Sequence, residues 1–257
     1  MLNRKNEDTL LGLGTLLTLL LGWELLAWSG WVKPLFISSP SRIWRAAQWL
    51  FANGLWTDIR VSLVEFGGGF ALALLLGAPL GLALGWYQRL RAMFDPLVSA
   101  LYATPRVALV PLFILWLGIG ISSKIAIVFL GAVFPILVNV SAGLRTLDET
   151  LVRCARAFGA NNWQLFVTVA LPSTLPFLIA GMKLAVGRAL VGVVVGELVA
   201  STAGVGHMMS IAGATFQTDK VFVGVILLGG FGWALTALIG RLEARFNAWR
   251  PEHSMLD

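Results

Sequence analysis

Residues 125–144 read IAIVFLGAVFPILVNVSAGL, twenty residues without a charge. An α-helix needs about 20 mostly apolar residues to cross the hydrocarbon core of a bilayer. A membrane-spanning strand needs about ten and alternates apolar with polar side chains. The run is continuous, so it reads as a spanning helix. Five similar runs lie on either side of it. Residues 9–28 carry one charge, Glu24; 66–87 carry none; 96–121 carry only Arg106. Residues 177–203 hold Lys183, Arg188 and Glu197, and 221–240 are again uncharged.

Composition excludes the alternatives. The 257 residues are 58% hydrophobic and 12% charged, with a mean hydropathy of +0.82. A soluble domain carries about 25% charged residues, so this chain lacks the polar surface a soluble enzyme would need. One cysteine, Cys154, cannot make an internal disulfide, and collagen-like or disordered composition is absent. The expected fold is therefore an all-α polytopic membrane protein with six transmembrane helices in a single domain, residues 1–257. The net charge of +6 and pI near 10.1 come from basic residues lying between apolar runs, which points to membrane orientation rather than to nucleic acid.

Six spans put both termini on one side, and the positive-inside rule selects it. Arg4, Lys5, Arg89, Arg91, Arg145, Arg153, Arg156, Arg241, Arg245 and Arg250 fall on the side of the termini. Lys33, Arg42, Arg45, Arg60, Lys124 and Lys220 fall opposite. Both termini are expected in the cytoplasm. The first run exceeds the 7–15 apolar residues of a signal-peptide core and lacks a convincing cleavage site, so it reads as a retained anchor. Residues 40–56 form an outer-face amphipathic segment. Ser39-Pro40-Ser41 starts it, and Trp44, Trp49 and Trp56 suit the headgroup layer. A helix flat on the leaflet and one packed on the bundle both fit.

Gly77, Gly81 and Gly85 recur every four residues, as do Gly192 and Gly196, which lets helices approach closely. Pro96, Pro105 and Pro111 should break the backbone ladder of the third span. Such breaks are tolerated in a membrane where they are buried or line a cavity, so this span is a candidate pathway helix.

The inner loop, residues 145–171, is the most informative segment outside the spans. Thr146 with Glu149 matches a capping box. Leu147, Leu151, Cys154, Ala155 and Phe158 then recur on one helical face, and Glu149 pairs with Arg153 at i,i+4. Gly159 suits a C-terminal stop. Asn161 with Gln164 caps a second short helix, which should end at Leu171-Pro172. A rigid helix projecting from a bundle can be gripped by a cytoplasmic partner.

This stretch, Arg153-Cys154-Ala155-Arg156-Ala157-Phe158-Gly159 followed by Leu171-Pro172, resembles the "EAA…G…LP" loop of ABC importer permeases. One position departs: the family's leading Glu falls on Arg153. Ser38-Ser39-Pro40, Asp95-Pro96, the run from Pro105 to Gly120 and Gly196-Glu197-Leu198 look like the nitrate/sulfonate/taurine/bicarbonate branch. The resemblance implies a type I importer permease fold in a bacterial cytoplasmic (inner) membrane. It implies a homodimer, two cytoplasmic ATPase subunits that bind ATP and Mg, and an extracytoplasmic substrate-binding protein. Glu149, Arg153, Cys154, Ala155, Arg156, Phe158, Gly159, Leu171 and Pro172 would then contact or shape the ATPase joint. The loop at 201–219, with His207, Gln217 and Lys220, would face the binding protein.

No Walker A run is present; residues 118–124, GIGISSK, only imitate one. His207 and His253 are far apart, no metal-ligand cluster is visible and no carboxylate pair lies inside an expected span. The chain reads as a permease without chemistry of its own and with no cofactor bound to itself. An ion-coupled secondary transporter of a small anion is the alternative; it would need buried coupling acids, and only Glu197 is deep enough. The candidate pathway residues are Arg106, Trp116, Lys183, Arg188 and Glu197. Charges within spans usually face the bundle interior or water. Three cations against one buried acid favour an anion, which agrees with the sulfonate- or nitrate-type solutes that the resemblance implies.

Overall fold

The computed structural model describes residues 2–247 except 32 and 34. Arg250 and His253 lie outside the described residues, as do the side chains of Arg4, Lys5 and Arg245. The described residues form helices: α1 (Leu2–Trp28), α2 (Pro40–Ala52), α3 (Leu55–Trp86), α4 (Gln88–Ala103), a 3₁₀ turn (Arg106–Leu109), α5 (Val110–Leu117) and α6 (Ile121–Arg145). They continue with α7 (Glu149–Ala157), α8 (Asn162–Leu165), a π turn (Phe166–Ala170), α9 (Leu171–Val199), α10 (Val205–Ala214) and α11 (Thr218–Asn247). Five helices are long and apolar enough to cross a membrane, and α4 with α5 makes a sixth if the pair is one broken span.

The centre is α6, flanked by α3 and α9. Apolar side chains gain little from leaving lipid for a helix interface, so close packing through small residues carries the association. A Cβ added at Gly81 would stand 2.6 Å from the Leu137 carbonyl, and one at Gly77 3.0 Å from that of Val133. Gly85 meets Leu144 in the same way. Across the other face of α6, Gly131 abuts the Arg188 carbonyl and Gly192 that of Ile127. Phe66, Ala73, Val128, Ala132, Ile136, Val186 and Ala189 fill the spaces between.

Helix α3 begins at Leu55, not near residue 66. Asp58, Arg60 and Glu65 dilute the hydropathy of its first turns and hide their helical character from a search for apolar runs. Helix α2 buries Ile43 and Leu50 with Leu55 and Val223, while Trp44 and Trp49 stay exposed.

The segment expected as a third span bends by 87° between α4 and α5. Pro105 forces extended backbone on Thr104 (φ −64°, ψ 131°), because its ring clashes with a helical predecessor. Pro96 is accommodated inside α4 and Pro111 opens α5, where the missing N–H has no partner to lose. One proline of the three makes the break. Leu171-Pro172 does not end a helix as expected: residues 162–199 run on as one apolar stretch. The π turn, in which the Leu171 N–H donates to the Phe166 carbonyl, provides the wider ladder in which proline is tolerated.

Candidate functional site

The first site is the loop between α6 and α9. Its cap differs from the sequence expectation. Asp148, not Thr146, is the N-cap of α7, its carboxylate accepting from the Thr150 N–H at 2.7 Å. That hydrogen bond holds the Asp148 carboxyl below the usual carboxylate range. The Thr146 hydroxyl turns back and donates to the Gly143 carbonyl at the end of α6. At the other end Gly159 takes φ +81°. Its N–H donates to the Arg156 carbonyl, and that of Ala160 to Ala155, a Schellman stop. Asn161 and Gln164 form the reciprocal capping box of α8, at 2.8 and 2.9 Å.

No residue of α7 is buried. Leu151 is exposed and Phe158 is 92% exposed, while Ala155 is half-buried, so most of the apolar face of α7 is open to solvent. Arg153 pairs with Glu149 at 2.8 Å in solvent. Cys154 is free and exposed.

The second site is a cavity of about 530 Å³ at the break between α4 and α5. It is lined by Tyr102, Thr104, Arg106, Val110, Leu184 and Arg188, among others. The break points Arg106 inward, where its Nη2 donates to the Tyr102 carbonyl at 3.3 Å. The guanidinium carbons of Arg106 and Arg188 each lie 5.3 Å from the centroid of the Tyr102 ring. An aromatic face attracts a cation, which accounts for two like charges gathering here.

The other three candidates lie elsewhere. Lys183 is ion-paired with Glu243 of α11. Trp116 is 66% exposed on α5, edge-on to Phe113. Glu197 is fully buried and accepts from Ser62 Oγ at 2.5 Å and from the Gly206 N–H at 2.6 Å.

Around Glu197 is a cluster that runs against the sequence expectations. Glu65 is also buried and within electrostatic reach of it, so two buried acids, not one, lie inside the bundle. Lys124, expected in an outer loop, is 1% exposed, within coulombic reach of both, and donates to the Ile119 carbonyl. The Val205 N–H donates to Ser62 Oγ at 2.9 Å and the Gly204 N–H to Asp58 at 2.8 Å. Thus α3 and α9 together hold the first turn of α10, whose amide groups would otherwise lack partners. Among the described residues no group of three or more His, Cys, Asp or Glu could hold a metal.

A family model of binding-protein-dependent transport system inner membrane components matches residues 73–248. The taurine transport system permease protein TauC of Escherichia coli (strain K12) is 29% identical, over 96% of this chain and 92% of that protein. The formylaminopyrimidine transport permease protein ThiX of Halalkalibacterium halodurans is 32% identical, over 86% and 88% respectively. SsuC of Bacillus subtilis (strain 168), provisionally named an aliphatic sulfonates transport permease, is 33% identical over 90% and 84%. A chain of the inward-facing MetNI methionine ABC transporter superposes with a TM-score of 0.62 at 21% identity, covering 77% of this chain and 96% of that one.

Proposed function

Since the chain belongs to the binding-protein-dependent transport system inner membrane components, the permease subunits of ABC importers, we propose that it moves a small organic anion and is driven through the loop at residues 145–171. Membership makes it a multi-pass inner-membrane subunit rather than an enzyme, working with a separate ATPase and a binding protein. That leaves no place for an ion gradient as the energy source.

The observation that carries the coupling role is α7. It is capped at both ends, has no buried residue and leaves Leu151 and Phe158 of its apolar face exposed. Leu151, Cys154, Ala155 and Phe158 form the surface an ATPase groove would cover, while Arg153 and Arg156 supply charge at its edge. The Arg153–Glu149 pair shows how Glu149 can lie beside the position where the family places its acid. Gly159, Leu171 and Pro172 set the exit of the loop into α9, so movement of α7 reaches the cavity along one continuous stretch. Both termini and this loop lie in the cytoplasm in this reading. Two copies enclose one pathway, and Arg106 and Arg188 line it. Lys183, Trp116 and Glu197 act away from this cavity. The names of TauC and SsuC, with the positive cavity, support an anionic cargo.

The test is co-purification from membranes in detergent followed by reconstitution. An ABC ATPase should accompany the permease, and Ala155→Glu should release it and stop ATP-dependent uptake. Intact ATPase binding and transport in that variant would overturn the coupling assignment.

A further inference from the structure

Resting on the reading of the cavity as pathway, we infer that Arg106, Arg188 and Tyr102 form a binding site in the permease for the head of an organic oxyanion with an apolar body. The permease then selects its cargo instead of leaving all discrimination to the binding protein.

The argument begins with an accounting of charge. Neither guanidinium has an acidic partner among the described residues. Of the bundle's acids, Glu243 pairs with Lys183, Glu197 accepts from Ser62 and Gly206, and Asp58 accepts from Gly204; buried Glu65 lies on the side of Glu197. Arg106 Nε is buried without an acceptor. Unpaired cations at membrane depth are costly and mark solute paths; an arriving anion removes that cost.

Geometry comes second. Tyr102 gathers both guanidiniums about one ring, which puts their charges at most twice 5.3 Å apart. The planar fork of arginine matches an oxyanion with two parallel hydrogen bonds, which the ammonium of lysine cannot reproduce. Tyr102 is the positioning residue: its ring holds the charges near one another in the absence of an anion.

The walls decide the class of anion. Val107, Val110, Ile127, Leu184, Val191 and Val195 surround the arginines with aliphatic surface. Such surface gives nothing to a hydrated inorganic ion and favours an alkyl or aryl body. The volume, about 530 Å³, falls in the range of small-molecule sites, roughly 300–1,000 Å³.

The experiment uses the permease with its ATPase in lipid nanodiscs, with thermal stability read against butanesulfonate, butanoate, benzenesulfonate, nitrate and butylammonium. At least one of the three organic anions should stabilise the complex at ten-fold lower concentration than nitrate, and butylammonium should not stabilise it. Arg106→Lys and Arg188→Lys, which keep the charge, should each weaken that response at least ten-fold when it is read against the variant's own unliganded midpoint. Tyr102→Leu should do the same and Tyr102→Phe should not. Equal stabilisation by nitrate, an undiminished response in both lysine variants, or no response to any of the three organic anions would overturn the inference. In each of those cases the ATPase would still accompany the permease, which keeps the importer reading separate. Loss of the ATPase from the wild-type preparation would count against that reading instead.

Discussion

The Glu197 carboxylate accepts a 2.6 Å hydrogen bond from the backbone N–H of Gly206, so a side chain of a spanning helix closes the first turn of α10. Gly204, beside it, has φ +119°, and a Cβ there would strike the same carboxylate. Removing the carboxyl leaves the Ser62 hydroxyl and the Gly206 N–H without their acceptor, and a buried donor left unpaired costs about 1–3 kcal/mol. Glu197→Ala should therefore lower the thermal midpoint of the detergent-purified protein strongly, and Gly204→Ala should do so too. Gly213→Ala, in open space on the same helix, should leave it unchanged. A harmless Glu197→Ala would show that α10 is held by other contacts.

The small residues of α3 make a second prediction. A methyl at Gly81 would lie 2.6 Å from the Leu137 carbonyl and 2.9 Å from Val140 Cβ. Backbone on one side cannot yield as a flexible side chain could, so Gly81→Ala should cost about 1–3 kcal/mol, the usual range for overpacking. Gly12→Ala on α1, with nothing within 4 Å, should be silent. Thermal unfolding of the two variants side by side decides it.

Topology can be read chemically. Cys154 is the one cysteine of the chain, and it is exposed on α7. A membrane-impermeant maleimide should label it in inverted vesicles and not in intact spheroplasts, and bound ATPase should protect it. Labelling from outside intact spheroplasts would reverse the proposed orientation of the loop and both termini.

The cap of α7 is testable by hydrogen exchange. Asp148→Ala should speed exchange in the first turn of the helix, whereas Thr146→Ala should not, since the Thr146 hydroxyl serves the end of α6. The Asp148 carboxyl is held below its ordinary range by the hydrogen bonds from Thr150. Its contribution to stability is therefore full above that ordinary range and fades as pH falls through the lowered value. In the wild type the protection of those amides, corrected for intrinsic exchange, should fall as acid protonates Asp148, and at lower pH than an unperturbed aspartate would give.

The apolar spans and the short capped helix between α6 and α9 were legible in the sequence, and the departures have local causes. Glu65 escaped notice because a search for charge-free runs starts α3 at residue 66, after the acid. Lys124 reads as a loop residue because the charge-free run starts at Ile125, just after it; only the start of α6 at Ile121 puts it inside the bundle. Spacing from Glu149 points to Thr146 as the cap of α7, whereas Asp148 serves, because the Thr146 hydroxyl is drawn back to the end of α6. Arg106 and Arg188 were marked by the cost of charge in an apolar run. Tyr102, which gathers them, carried no such mark, since aromatic residues are ordinary in a membrane helix.

By itself the sequence determined the apolar spans and the capped helix between the fourth and fifth of them; it marked three prolines for the break in the third span, of which the structure uses Pro105, and it left residues 201–219 as a loop where α10 (Val205–Ala214) forms. The spans, the capped helix and the proline break follow from chain-local physics: a bilayer demands apolar runs with backbone groups satisfied within each helix, proline removes a donor, and glycine permits a left-handed stop. Only the tertiary structure decided which buried charges meet. The pairing of Lys183 with Glu243, the cluster of Glu65, Glu197 and Lys124 beneath α10, and the gathering of Arg106 and Arg188 at Tyr102 join helices distant in the chain. They depend on how far each helix turns and how closely its glycines let it approach its neighbour, and no local pattern encodes that.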